Sequence, residues 1–304
     1  MRALWIPAVL ITVAGAEPLD FTRVPDAAKL RAPAVTEASG LAISSADPHF
    51  MWIINDSGGT PDIHLAETDG TSRGKTTLKG VDNIDWEDLA SFSLHGKNYL
   101  LVADTGDNAS KRQSCLLHIL QEPTLPAAGK NLAATAVPAW QIQFQYADGP
   151  RDCEAVAVDA KAGKIILITK RTNPPQVYEL PLLPSGKTIL QTAQRIGQTE
   201  VRSPANSLIP FRNQPTGLDI SADRSLAAVV TYYGVFLFPR QPNESWAEAL
   251  AKPPAILKPH LLPQAESVTF SKDGKHIFLT SEGTNSSIRI YRFQESINPR
   301  SSAP

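Results

Sequence analysis

The chain has 304 residues, 42% of them hydrophobic, enough to bury a sizeable core, and its 29 basic side chains nearly cancel its 30 acidic ones. That balance leaves no global field to hold the protein on nucleic acid or an anionic membrane. Two cysteines are too few for a disulfide-stapled scaffold, and no CxxC or HExxH spacing points to zinc.

At the N-terminus, MRALWIPAVLITVAGAE combines one Arg, an apolar stretch and Ala14-Gly15-Ala16, the small-residue pattern that signal peptidase cleaves. Residues 1–16 are therefore expected to be a secretory signal, with residues 17–304 forming one mature domain in the periplasm or outside the cell. The apolar stretch from Ala3 to Ala16 falls short of the roughly 18 residues that a membrane span needs, and nothing later is longer.

One pattern then recurs five times. The copies are EASGLAISSADPHFMWIINDSGG from Glu37, DWEDLASFSLHGKNYLLVADTGDN from Asp85, DCEAVAVDAKAGKIILITKRTN from Asp152, QPTGLDISADRSLAAVVTYYG from Gln214 and QAESVTFSKDGKHIFLTSEGTN from Gln264. Each has a polar opening, a short apolar run, a turn rich in Asp, Gly, Lys or Ser, and a second apolar run, which is the signature of a β-hairpin. A third strand-like run follows each hairpin: IHLA at 63–66, CLLHIL at 115–120, VYEL at 177–180, VFLF at 235–238 and IRIYRF at 288–293. Fourth runs are clearest in AWQIQFQY at 139–146 and TILQTAQRI at 188–196. Four antiparallel strands repeated radially make an all-β β-propeller.

From Gly40 through Asp88, Ala155 and Gly217 to Ser267 the repeats step by 48, 67, 62 and 50 residues. The longer steps exceed the shorter ones by less than the roughly 40 residues of a whole blade, so five blades are expected, with six as the alternative. Few residues follow Phe293, and the segment Phe21-Thr22-Arg23-Val24 is placed to supply the missing outer strand of the last blade.

In such a fold the innermost strand of every blade starts, and the second ends, at one mouth of the central channel. The openings Glu37, Asp85 and Asp152, the following Glu87, Glu154 and Glu266, and the strand ends at Asp56, Asp104, Asp107 and Glu282 would then ring it with ten carboxylates. Like charges crowded in a partly dry site call for a compensating cation, and oxygen ligands suit Ca²⁺. The candidate ligands are Glu87, Glu154, Glu266, Asp56 and Asp104, with Trp86 as an aromatic wall. Lys170 and Arg171, with Arg151 and Arg212 nearby, would hold an anionic group. Against this stands turn capping, which accounts for most single acidic residues before strands. It accounts less well for the recurrence of Glu at the position shared by Glu87, Glu154 and Glu266. His49, His95 and His276 fall in hairpin turns at the far end of the blades, away from the acidic mouth. Cys115 and Cys153 are expected to be separate thiols.

The stretch EASGLAIS, WIINDSGG, GVDNIDWEDLA and LLVADTGDN resembles the SdiA-regulated family of secreted bacterial propellers and, more loosely, the esterase-like phytases and β-propeller phytases. The resemblance covers about the first third of the chain, with EAVAVD at 154–159 and Thr169-Lys170-Arg171 as weaker echoes. It implies acidic Ca²⁺ sites and, for the phytases, Ca²⁺-assisted phosphomonoester hydrolysis. Two functions follow as expectations. One is metal-assisted hydrolysis of a phosphoester or ester, with Glu87, Glu154 or Glu266 as general base. The other is a non-catalytic propeller of the cell envelope that binds a small anionic ligand or an envelope protein.

Overall fold

Each repeated hairpin forms where two runs rich in Val, Ile, Leu, Ala and aromatic residues flank a short polar turn. The computed structural model describes residues 20–25, 28–183, 190–205 and 207–294; the expected signal segment, residues 1–16, lies outside the described residues. No helix among the described residues is long and apolar enough to cross a membrane.

A short strand β1 (Phe21–Arg23) precedes the repeats. The first repeat forms β2 (Ala38–Ile43), β3 (Phe50–Asn55), β4 (Asp62–Glu67) and β5 (Ser72–Leu78). The second forms β6 (Trp86–Leu94), β7 (Lys97–Asp104), β8 (Cys115–Gln121), β9 (Leu132–Ala136) and β10 (Trp140–Tyr146). The third forms β11 (Cys153–Asp159), β12 (Lys164–Thr169), β13 (Gln176–Pro181) and β14 (Leu190–Gln198). The fourth forms β15 (Pro215–Ile220), β16 (Leu226–Thr231), β17 (Val235–Pro239), the single-turn helix α1 (Trp246–Leu250) and β18 (Ala255–Ile256). The fifth forms β19 (Ala265–Phe270), β20 (His276–Ser281) and β21 (Arg289–Phe293). Two of the hairpin turns close on Gly163 and Gly274, at φ 66° and 69°, a left-handed conformation that costs a glycine little.

The innermost strands β2, β6, β11, β15 and β19 pack side by side in that order, and β19 returns against β2, so the sheets close a ring. This is a β-propeller. Its core is divided among the blade interfaces. Trp52, Leu65, Trp86 and Val102 fill the space between the first and second sheets, and Phe92, Leu117, Leu167 and Tyr178 the space between the second and third. Val229 and Phe236, then Leu237 and Leu279, then Met51 and Phe278 complete the circuit. Because every sheet is covered on both faces, strands such as β12 and β16 are apolar throughout rather than alternating.

Two features depart from plain repetition. In the second repeat, β9 leaves its own sheet and pairs in parallel with β5, after which β10 returns to the edge of β8. There β10 pairs in parallel with β14, so the second and third sheets fuse edge to edge into eight strands. The detour through β9 takes up the extra length of the longest repeat interval.

The chain closes through β1, which pairs antiparallel with β21, Phe21 opposite Phe293. Phe21 is buried, and its ring lies 5.4 Å from that of Phe293. Phe21→Ala removes about 3 kcal/mol of burial and packing. A fall of roughly 6–12 °C in the thermal midpoint is the expected result, read by circular dichroism.

Asp88 sits at the centre of the ring with no solvent exposure. Its carboxylate accepts the N–H groups of Leu89 at 2.8 Å, Val156 at 2.8 Å and Leu218 at 3.1 Å, tying β6 to β11 and β15. Cys115 and Cys153 are both buried and unbridged, and burial pushes the Cys115 thiol up to about 12.

Candidate functional site

All five inner strands break register with their second strand at the same place. The slips fall between Ala38 and Gly40, Trp86 and Asp88, Cys153 and Ala155, Pro215 and Gly217, and Ala265 and Ser267. The residues skipped are Ser39, Glu87, Glu154, Thr216 and Glu266. A bulge leaves one residue out of the ladder and re-aims its side chain. Where that residue carries a hydroxyl, it bonds to the neighbouring inner strand: Ser39 donates to Trp86 O and Thr216 to Ala265 O, each at 2.7 Å. The three glutamates gather instead at the mouth of the channel.

Glu87, Glu154 and Glu266 are only 4%, 3% and 5% exposed. Around Glu87 two triads of carboxyl oxygens close to within 4.8 Å: Asp56, Asp85 and Glu87, and Glu87, Asp152 and Glu154. Lys170, which follows β12, forms an ion pair with Glu154 and lies 3.9 Å from Glu266. Its ammonium also stands 5.3 Å over the Tyr232 ring, and Tyr232 Oη donates to Glu266 Oε1 at 2.8 Å. On the far side Asp152 accepts the Asp107 N–H at 2.9 Å and pairs with Arg171 at 2.6 Å. Gly106 completes the wall. A Cβ there would collide with the Glu87 and Asp85 carboxyl oxygens, so glycine lets the 105–108 loop lie against the acids.

Six carboxyl groups thus face Lys170 and Arg171, with the Arg112 guanidinium beside Asp85 as a third positive charge. Glu87 forms no hydrogen bond or ion pair among the described residues. Burial, then the charges of Glu154, Asp56 and Asp85, hold it well above the usual carboxylate range. Burial and the Asp56 carboxylate push Asp85 up to about 6. Glu154 is pushed to about 7, burial outweighing the nearby Lys170. Glu266 is pushed to about 9 by burial and then by Glu154. Burial alone would depress the Lys170 ammonium, but Glu154 overrides it and the group stays above its ordinary value.

Of the residues expected from sequence, the structure brings together Glu87, Glu154, Glu266, Asp56, Lys170 and Arg171. Two others are elsewhere. Asp104 is the last residue of β7 and faces away from the channel, fully buried, paired with Arg112 at 2.8 Å and 3.9 Å from His118. In that blade the residue that lies against the acids is Gly106, while Thr105 is buried and donates to Cys153 O at 2.8 Å. Trp86 is no exposed wall either: adjacent to Glu87, it points into the apolar interface with β3 and is fully buried. Lys170 and Arg171 are both engaged by carboxylates. Arg151 bonds to Gln176 and Asp148 on the blade surface, and Arg212 to Ser207 O. Of the ten acids expected at the mouth, Glu37 is exposed and Glu282 bonds to Gln264. Asp85 and Asp152, expected at the mouth but not among the candidate ligands, belong to the ligand triads, and Tyr232 joins the site as well. The signal for the two aspartates is their shared place just before an inner strand, two residues ahead of its glutamate.

With that geometry in view, the chain matches no known family model and no curated protein. Solved structures of low similarity include a gluconolactonase of Xanthomonas campestris, at 11% identity over 84% of this chain and 72% of that one, with a TM-score of 0.46. A chain of the nidogen/laminin complex follows at 14% identity, 81% and 73% coverage and 0.44. A proposed 6-phosphogluconolactonase from Bacteroides uniformis gives 12%, 87%, 69% and 0.40. Likeness at this level says nothing about activity.

Proposed function

We propose that the channel mouth is a metal-assisted hydrolytic site for an ester, with Ca²⁺ as the ion. The observation that carries this reading is Glu87, a carboxyl group 4% exposed, without a partner, and shared by two triads of ligand atoms. A buried charge with no partner is costly unless a proton or a cation neutralises it. Asp56, Asp85, Glu87 and Asp152 would hold the cation, with Glu154 beside them, and an all-oxygen set suits a hard ion. The likeness of EASGLAIS, DWEDLA and LLVADTGDN to SdiA-regulated and phytase-like propellers supports calcium, and export to the periplasm or beyond belongs to the same reading.

When bound, such an ion polarises the scissile carbonyl and acidifies a water molecule. Glu154, paired with Lys170 beside the ligand set, would accept the proton of the attacking water at a carboxylate oxygen. Glu266 remains protonated at neutral pH. Tyr232 occupies Oε1, leaving Oε2 to carry the proton that passes to the departing alkoxide as the C–O bond breaks. Lys170 keeps the two glutamates apart in charge. Since Lys170 and Arg171 are already matched by carboxylates, neither is free for a dianionic phosphoryl group, which favours a carboxylic ester over a phosphomonoester.

The test is thermal melting with calcium or chelator at pH 5, 7 and 9, followed by ester and phosphomonoester substrates. Asp85, Glu87, Glu154 and Glu266 all bind protons more tightly folded than unfolded. Their contribution is fully present below about pH 4 and is lost as pH rises through about 6, 7 and 9. The metal-free protein should therefore melt lower as pH rises, and calcium at a hundred times its Kd should restore roughly 2.7 kcal/mol at alkaline pH and less at pH 5. Melting indifferent to calcium at every pH would end the metal reading; stabilisation without turnover of any ester would leave a binding propeller.

A further inference from the structure

Next to the acidic mouth a groove of about 540 Å³ runs between residues 209–211, with Gln214, and residues 262–264. Its floor is Lys170 and Tyr232, and its walls include Ile209, Pro210, Phe211 and Pro263. Polar chemistry lies at one end and apolar surface along both sides.

The apolar surface is unusual in two independent respects. Of the nine large hydrophobic side chains that are exposed among the described residues, two line this groove, Phe211 at 69% and Ile209 at 37%, and two more, Leu208 at 96% and Leu261 at 66%, are chain neighbours of lining residues. Scattered single apolar residues are ordinary on a surface, whereas a contiguous set marks a contact site. The backbone beneath them is also strained. Phe211, Leu261 and Gln264 adopt φ of 52°, 60° and 41°, left-handed values that disfavour a residue with a side chain. Strain that presents an apolar ring to water gains nothing from packing within the chain, and such strain collects at ligand sites.

The groove is continuous with the site already described. Tyr232 forms part of its floor and donates to Glu266, the group that holds the proton for the departing alkoxide. An ester whose carbonyl lies among the carboxylates therefore places its alcohol portion, not its acyl portion, toward Phe211.

We propose that this groove is the subsite for the leaving group, and that the substrate is an ester of an apolar, aromatic-sized alcohol. The volume lies within the range of small-molecule pockets, and apolar walls with a few polar groups at one end fit an amphiphilic ligand. Phe211 and Ile209 set this specificity. The proposal rests on the hydrolytic reading, and the experiment separates the two.

Calcium-loaded protein is assayed with ethyl acetate, benzyl acetate and 2-phenylethyl acetate, and binding of 1-naphthol is measured directly by its fluorescence. In the wild type kcat/KM for 2-phenylethyl acetate should exceed that for ethyl acetate at least tenfold. Phe211→Ser and Ile209→Ser, both surface changes, should reduce that ratio several-fold and weaken naphthol binding. Lengthening the acyl chain at constant alcohol should have little effect. Naphthol binding that is lost in Phe211→Ser, with no ester turned over, would support the groove and overturn the hydrolytic reading. Turnover with no preference among alcohols and no naphthol binding would overturn the groove. A wild type that is dimeric, becomes monomeric in Phe211→Ser and binds no naphthol would overturn it in favour of contact between copies of the chain.

Discussion

Glu87→Gln should abolish the calcium-dependent rise in melting temperature and lower kcat by at least a hundredfold, while the metal-free protein melts no lower than the wild type. A hundredfold loss is about 2.7 kcal/mol of transition-state stabilisation. The two halves of the result have opposite causes. Glu87 belongs to both oxygen triads, so removing its charge weakens every ligand set the mouth can form. Without a cation the same charge is a liability, because burial and the carboxylates of Glu154, Asp56 and Asp85 all oppose it. The amide keeps the shape and offers N–H donors to those carboxylates. Paired measurements of melting and turnover check it. A variant that loses stability without metal, yet responds to calcium like the wild type, would mean that Glu87 is a structural residue.

Asp88→Ala should lower stability by about 3 kcal/mol, shifting the midpoint by roughly 6–12 °C. The substitution strands the N–H groups of Val156 and Leu218 at the centre of the ring, where no water replaces the lost acceptor. Part of that loss is offset, since burial outweighs the backbone donors and holds the Asp88 carboxyl well above its ordinary range. Asp88→Asn separates these effects. Both tertiary bonds go to Oδ2, and an amide oxygen placed there keeps them. Asn should therefore cost far less than Ala. Equal losses in the two variants would show that the charge, not the acceptor, is what the fold needs.

The repeats made the hairpins and third strands readable, because short apolar runs and turn residues are local properties of the sequence. The closure through Phe21–Arg23 was readable as well, from a last repeat with too few residues after it. The excursion of β9 and the seam between β10 and β14 were not, since parallel pairing between outer edges leaves no periodic trace. At the mouth, the recurring glutamate marked the right strand position in three blades. The bulge that aims it was invisible, as it changes pairing without changing composition. Asp104 and Trp86 show the cost of a one-residue error: on a strand, the neighbour of a channel residue belongs to the opposite face. Asp56 was placed correctly because it lies one residue past the end of β3, the same phase as Lys170 and Tyr232 in later blades.

The seam between β10 and β14 also bears on how firmly the acids are held. Glu87 and Glu154 come from separate repeats, yet both hang from a single hydrogen-bonded web whose perimeter is joined as well as its hub. Prising the second repeat from the third requires breaking that outer weld in addition to the apolar contacts between them. The spacing of this carboxylate pair is accordingly braced at both the inner and the outer edges of its supporting sheets, whereas Glu266 rides on a unit fastened at its rim by three residues of the N-terminal strand.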